Sequence, residues 1–329
     1  MFPLASPDPG HVDPLLLLVA ALALDALIGD PAALYRHVPH PVAFLGRVIA
    51  GLERRLNRGT ARRRSGIVAV AIVVGLAVLA GVLLALLAER LPDGDAVTLI
   101  AVAMLVAQRS LWDHVAEVAQ ALEKHGLSGG RAAVARIVGR DPESLDAAGV
   151  ARAAIESLAE NFSDGVVAPV FWFVLLGLPG ICAYKAINTL DSLIGHRSER
   201  YRAFGWAAAR LDDAANLIPA RLAAALIAAG AALVPGASGA RAVTTAQRDA
   251  KGHRSPNAGW PEAAMAGALD LSLAGPRRYG EEIVADPWLG QGSRGATAAD
   301  IRRALGLYLV ACVVEAALLA ALAAWRAGF

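Results

Sequence analysis

Residues 156–221 read ESLAENFSDGVVAPVFWFVLLGLPGICAYKAINTLDSLIGHRSERYRAFGWAAARLDDAANLIPAR. Polar and ionisable side chains crowd both sides of one short apolar run. Glu156, Glu160, Asn161 and Asp164 precede the run. Tyr184, Lys185, Asn188, Thr189, Asp191, Ser192, His196, Arg210, Asp212, Asp213, Asn216 and Arg221 follow it. Charge beside membrane-like sequence is costly, and it marks a functional site by default. The run itself, residues 166–180, holds Pro169, Gly177, Pro179 and Gly180. As a helix it would reach only about 22 Å, short of a full span. Broken backbone at membrane depth is tolerated where it lines a cavity. A re-entrant segment follows, which would leave both polar clusters on one side and form one site from them. A thinned span separating them is the alternative.

The rest of the 329 residues sets the class. They are 56% hydrophobic and 18% charged, against a usual charged share of about 25%. Mean hydropathy is +0.49. The apolar residues fall in blocks. Residues 67–88 carry no charge and are long enough to cross a hydrocarbon core of about 30 Å. Residues 15–29, 97–107, 217–234 and 305–325 are shorter or interrupted. This pattern predicts an all-α, polytopic integral membrane protein with amphipathic and re-entrant helices and polar loops, as one membrane-embedded domain over 1–329. Its polar site segments lie at about 129–165, 184–216 and 247–275. The first residues lack a basic n-region and a small-residue cleavage site, so 15–29 reads as a retained helix. A net charge of +2 leaves no nucleic-acid footprint. Arg47, Arg54, Arg55, Arg58, Arg62, Arg63 and Arg64 cluster before the 67–88 helix, which places that loop in the cytoplasm. Cys182 and Cys312 lie in apolar runs without metal-ligand spacing and are expected as buried thiols.

Along the chain, His37 and His40 among prolines suit a packed loop better than a metal site. Residues 42–56 predict an interfacial helix with Phe44, Leu45 and Ile49 on one side. The turn at 92–95 returns the chain across the bilayer from Val97. Leu111, Val115, Val118 and Leu122 give an amphipathic helix, ended by Gly126 and the 129–130 glycines. Arg136 and Arg140 would sit one turn apart on a helix face, suited to a phosphate or carboxylate. A solvated or headgroup face fits them as well. Asp141-Pro142 would start the next helix and Gly165 would stop it. Arg152 and Glu156 read as a salt-bridge ladder. Glu160, Asn161 and Asp164 make an oxygen-rich cluster of the kind that holds Mg²⁺. Lys185, Asn188, Thr189 and Ser192 form a polar stripe with Asp191 beside it, a substrate site or helix–helix glue. Asp212, Asp213 and Asn216 supply a second acid cluster. His253, Ser255 and Asn257 precede a helix with Pro261 at its first position, a natural anion site that Glu262 would weaken. No Walker, dinucleotide or zinc-protease motif appears.

The runs AAIESLAENFSDGVVAPVFW, AYKAINTLDSLIGHRSERYRAFGWAAARLDDAANLIPARL and HRSPNAGWPEAAMAGAL resemble the adenosylcobinamide-phosphate synthase (cobinamide synthase) family. The early GDP and PHPV are similar to its N-terminal motif. The likeness covers the whole chain in order, with Leu193 and Ala258 at places where Met and Ser are common. It implies a multi-pass enzyme of vitamin B12 biosynthesis in the bacterial inner membrane. Such enzymes use ATP to join the free propionate carboxylate of adenosylcobyric acid to (R)-1-aminopropan-2-ol phosphate, or to aminopropanol. The implied partners are that corrinoid, the amine, the lipid bilayer and other enzymes of the pathway. For this chemistry we assign Glu160, Asn161, Asp164, Asp212 and Asp213 to Mg²⁺ and phosphate. Lys185, Arg210 and Arg140 would stabilise phosphate or an acyl oxyanion, and His196 or Asp191 would take the ammonium proton. Asp164 is expected to be essential to turnover. Arg136, Asn188, Thr189, Ser192, His253, Ser255 and Asn257 are the further substrate-binding candidates. An intramembrane prenyltransferase would also pair acid clusters around Mg²⁺–diphosphate, but its aspartate-rich spacing is not evident. A transporter should show inverted repeats, and none is visible.

Overall fold

A computed structural model describes residues 11–29, 41–139, 141–279, 282–284 and 286–328. The GDP tripeptide beyond Gly29, His37, His40 and Arg140 lie outside the described residues. Among the described residues four helices are long and apolar enough to cross a membrane, and a bent pair would make a fifth. Among the described residues strands are confined to four short pieces. The protein is therefore an all-α, polytopic membrane protein. Its chain divides into two compact units: Met1–Ala107, Ala168–Asn216 and Leu319–Phe329 in the first, Gln108–Val167 and Leu217–Leu318 in the second.

In the first unit, helix α1 (Pro14–Ile28) starts at Asp13, whose carboxylate accepts from Leu15 N at 2.7 Å. Helix α2 (Pro41–Leu56) is the amphipathic element, with Ile49 buried and Phe44 60% exposed. Helix α3 (Arg62–Arg90) has 29 residues, a length of about 43 Å. Its outward side chains include Ile67, Val68, Ile72 and Leu76, an apolar row that suits lipid. Helix α4 (Gly94–Ala103) has 10 residues, about 15 Å, and it opens the Gly94–Val134 stretch that is long and apolar enough to cross a membrane, as the return expected after the 92–95 turn requires. Ile49 of α2, Val70 and Val73 of α3, and Leu190, Ile194, Phe204 and Ala208 share one core.

The apolar run of the sequence forms a helical hairpin. Helix α7 (Ala168–Ile194) breaks at Gly177, where φ is 66° and ψ is −151°. A Cβ on Gly180 would collide with the carbonyl oxygen of Trp172, eight residues earlier. A straight helix would hold those residues about 12 Å apart, so the chain doubles back. Ala168 accordingly shares a core cluster with Tyr184 and Ile187. The tip reaches Gly81 of α3, where a Cβ would be 2.6 Å from Pro179 Cα. The far end of the return arm lies by Gly66, through Phe204 and Gly205. The hairpin thus penetrates along roughly 15 residues of α3, about 22 Å, from the arginine end. Helix α8 (Trp206–Ala215) follows it.

In the second unit, helix α5 (Gln108–Val134) buries Leu111, Val115 and Val118. It breaks at Gly126 and resumes through the 129–130 glycines, which pack back against His125 and Leu122. Helix α6 (Ala147–Phe162) begins at Asp146, which accepts from Gly149 N at 2.6 Å. Asp141 caps only the single turn Pro142–Ser144. A residue before proline is driven to extended backbone, and Asp141 has ψ of 113°, so no helix runs through it. Arg136 consequently lies in a turn beyond α5, ion-paired to Glu117. Gly165 does not stop α6. Ser163–Val167 form a π-helical turn that leads into α7. A helical glycine costs about 1 kcal/mol, whereas burying Phe162, Val166 and Val167 is worth about 1.5–3 kcal/mol each. Helices α9 (Leu217–Ala231), α10 (Gly239–Asp249), α11 (Gly259–Leu269) and α12 (Ala298–Arg326) complete the chain. Pro261 is the third residue of α11 rather than the first. Strands β1 (Leu273–Ala274), β2 (Arg277–Tyr279), β3 (Glu282–Val284) and β4 (Trp288–Leu289) pair β1 with β4 and β2 with β3, both antiparallel. Phe162 meets Tyr308 of α12 edge to face at 5.5 Å, and the Tyr308 hydroxyl donates to Gln108 O at 2.9 Å.

Candidate functional site

A polar network lies inside the first unit, between the return arm of α7 and α8. Tyr184, Asn188 and Asp191 follow at i, i+4 and i+7, which aligns them on one face. Asp212 and Asn216 are one turn apart at the end of α8. The buried Tyr184 hydroxyl donates to Asn216 Oδ1 at 2.9 Å, and Asn216 Nδ2 donates to Asp212 Oδ2 at 3.0 Å. Trp172, on the first arm of the hairpin, donates its indole N–H to Ala215 O at 3.2 Å. The hairpin therefore holds the end of α8 in place. The Asn188 amide lies close enough to hydrogen-bond the Asp212 carboxylate, and Asp191 and Asp213 lie within electrostatic reach of it. Arg210 Nη1 pairs with Asp213 Oδ2 at 3.1 Å near the surface. Asp212 Oδ1 is buried and has no hydrogen-bond partner among the described residues. A buried acceptor left open calls for an unseen donor or cation.

The stripe on α7 divides by chemistry. Thr189 Oγ1 donates to Lys185 O at 2.6 Å, and Ser192 Oγ donates to Asn188 O at 2.9 Å. Both hydroxyl protons are thus spent inside their own helix. His196 is exposed, its ring 6.3 Å from that of Tyr201. Cys182 and Cys312 are free thiols, the first half-buried and the second buried. Among the described residues no three His, Cys, Asp or Glu side chains converge on a metal-sized space. Mg²⁺ asks for less: one or two carboxylates, with waters and substrate phosphates completing an oxygen shell. The open Oδ1 of Asp212, with Asp213 beside it, fits that demand.

In the second unit Ser157 Oγ donates to Ile137 O at 3.0 Å, and Asn161 Nδ2 donates to Ser157 O at 2.9 Å. Asn161 is thereby fixed at the start of the π-helical turn. Glu160 is exposed and Asp164 half-buried. Ser163 is buried in that turn, and its hydroxyl has no partner among the described residues. Turns of this kind recur at functional sites. Arg152 donates to Arg294 O and lies over the Trp288 ring, while Glu156 Oε1 accepts from Ala274 N at 2.8 Å. These two side chains brace the β1–β4 segment where a salt-bridge ladder was expected. Before α11, Ser255 Oγ accepts from the backbone N–H groups of Asn257 and Ala258, both at 3.2 Å. Asn257 Oδ1 accepts from Arg221 Nη1 at 3.0 Å, and His253 Nε2 lies 3.7 Å from Glu262 Oε1. The chain itself thus occupies much of that helix start.

Two features escaped the sequence reading. Tyr184 stood in the polar crowd without a role, yet it orients Asn216. Glu315 is a buried acid in α12, 5% exposed, with Oε2 unpartnered among the described residues. A lone acid within an apolar helix was the signal that would have found it.

Membrane helices and a hairpin that re-enters from the arginine end define a multi-pass membrane protein, and the carboxylate–amide network is its candidate site. The CobD/Cbib protein family matches residues 18–308, and the chain belongs to that family. It is 53% identical over 316 residues to the cobalamin biosynthesis protein CobD of Sinorhizobium sp, covering 94% of this chain and 98% of that one. The protein of the same name from Rhizobium meliloti (strain 1021) is 51% identical over 307 residues, covering 91% and 94%. That of Rhodobacter capsulatus is 50% identical over 296 residues, covering 89% and 92%. No solved structure matches the chain.

Proposed function

We propose that the protein acts in cobalamin biosynthesis as an adenosylcobinamide-phosphate synthase of the bacterial inner membrane. In this reading it is an ATP-dependent acid–amine ligase. It joins the free propionate carboxylate of adenosylcobyric acid to (R)-1-aminopropan-2-ol phosphate or aminopropanol. The observation that carries the reading is the buried, open Oδ1 of the half-buried Asp212, beside Asp191 and Asp213, in a chain of this family. A carboxylate does not acylate an amine at neutral pH without activation. Attack of the propionate on the γ-phosphorus of ATP gives an acyl phosphate and ADP. Attack of the amine on the acyl carbon then forms the amide and releases phosphate.

The residues divide this work. Asp212 and Asp213 would hold Mg²⁺, which when bound neutralises charge on phosphate oxygens. Asn216 and Tyr184 fix the Asp212 carboxylate, so that its geometry does not depend on the ligand. Lys185 and Arg210 bind phosphate and the developing oxyanion. Asp191 or His196 accepts the proton that the ammonium loses before attack. In the second unit, Asn161 and Asp164 remain proposed ligands to phosphate and metal.

The test is incubation of the purified, reconstituted protein with adenosylcobyric acid, aminopropanol phosphate, ATP and Mg²⁺. Mass spectrometry should show the amide, with one ADP formed for each amide. ATP hydrolysis without amide, or no reaction with either amine, would refute the assignment.

A further inference from the structure

The seven arginines between positions 47 and 64 orient the protein, but the structure gives several of them a more specific place. Arg47 lies over the Phe44 ring, and Arg63 lies 3.8 Å from the centroid of Trp206. Arg54, Arg58 and Arg62 instead line a cleft of about 560 Å³ together with Arg200, Glu53 and Glu199. Four guanidinium groups thus face two carboxylates. One of those carboxylates is already committed. Glu53 is buried and accepts from Arg200 through both oxygens, at 3.0 and 2.9 Å. Asn57 Nδ2 ties the pair down by donating to Glu53 Oε1 at 2.9 Å and to Arg200 O at 3.1 Å. Arg200 is therefore a fixed wall of the cleft. Arg54 lies in the last turn of α2, Arg58 lies in the loop that follows and Arg62 opens α3, and they form no ion pair among the described residues.

The cleft sits where α3 enters the membrane. Directly beyond Arg62–Arg64, Ile67 and Val68 are 46% and 51% exposed, and Ile72 continues the row. A soluble anion would meet the arginines only, while the apolar row already faces lipid. A molecule with a phosphate at one end and acyl chains at the other meets both. We propose that this cleft binds the headgroup phosphate of an anionic phospholipid, with the acyl chains lying along α3. The site is separate from the Asp212 network and stands independently of the proposed reaction.

The full-length protein, purified in detergent, would be titrated with phosphatidylglycerol or phosphatidylcholine and read by native mass spectrometry. Phosphatidylglycerol should be retained and phosphatidylcholine should not. Near a membrane surface each arginine adds about fivefold in affinity, so R54Q/R58Q/R62Q should weaken retention roughly a hundredfold. R90Q, at the opposite end of α3, should leave it unchanged. Should the triple variant fail to remain monodisperse, the single exposed changes R54Q and R58Q decide the matter, at about fivefold each. Equal retention of both lipids, or undiminished retention by the variants, overturns the proposal. Inorganic phosphate is the third arm. If it displaces the lipid with the same arginine dependence, the cleft serves a soluble phosphate and the lipid assignment is wrong.

Discussion

Asp212 has one carboxylate oxygen held by Asn216 and the other left open in the protein interior. In the proposed reaction that open oxygen is the position for a metal ion, because a buried acceptor calls for a partner. Asp212→Asn should keep the fold and the hydrogen bond but lower amide formation roughly a hundredfold or more. Turnover within about twofold of wild type at saturating Mg²⁺, with normal protein in the membrane, would sink the assignment. Tyr184→Phe removes the donor that orients Asn216. It should lower turnover about tenfold and stability by about 1–3 kcal/mol, read from activity and chemical denaturation of the same preparation. Glu53 makes a contrasting case outside the membrane spans. Its hydrogen bonds from Arg200 hold its carboxyl below the usual glutamate range, against the opposing effect of burial. A depressed folded-state pKa adds stability above the unfolded value, near 4.3, and loses it as pH falls through the folded value. Wild type should thus lose thermal stability relative to E53Q between about pH 5 and 3, and a gap constant with pH would contradict this.

The α7 hairpin shows how an element builds a site that no local motif encodes. Gly177 adopts a backbone conformation that is essentially restricted to glycine, and the doubling back depends on it. Gly177→Ala should cost about 1–3 kcal/mol and lower activity together with stability, measured by thermal unfolding and turnover. Unchanged stability would mean that the arms pack without the turn. The re-entrant reading was legible because 15 residues with two prolines and two glycines are too short and too broken to span. Its consequence was not legible. Tyr184 and Asn216 are 32 residues apart, and only the hairpin and the indole of Trp172 bring their helices into register. Helix starts were ambiguous for a different reason. Asp141 and Asp146 both satisfy the capping preference, and the proline after Asp141 confined its helix to one turn. Glu315 was hidden because the apolar character of its helix outweighs a single acid. The spacing of Asp212 and Asn216, by contrast, could be read directly, since it needs no partner element.

For the whole molecule, charge and packing together fix which ends of the first unit share a membrane face. The arginine-rich segment before α3 carries the cytoplasmic signal, and the turn after Arg90 lacks it. Gly66 admits Phe204 to backbone contact, and Arg200 is clamped on Glu53, so residues 195–205 lie beside the arginine end of α3. The return arm of the hairpin must therefore end on the face where α3 begins. Single cysteines at Arg58 and Ser198, both exposed, should be labelled by a membrane-impermeant maleimide only in inverted vesicles. A cysteine at Pro92, just beyond the far end of α3 and about 40 Å from its start, should be labelled only from outside intact cells. The two native thiols would first be replaced by Ala. Labelling of position 198 from the side that labels 92 would mean that the chain crosses the bilayer between Ala168 and Ile194. The hairpin would then be wrong, and with it the placement of Asp191 and Asp212 in one network. Labelling of position 58 from outside would leave the hairpin intact but invert the protein, setting its acid site toward the face without ATP.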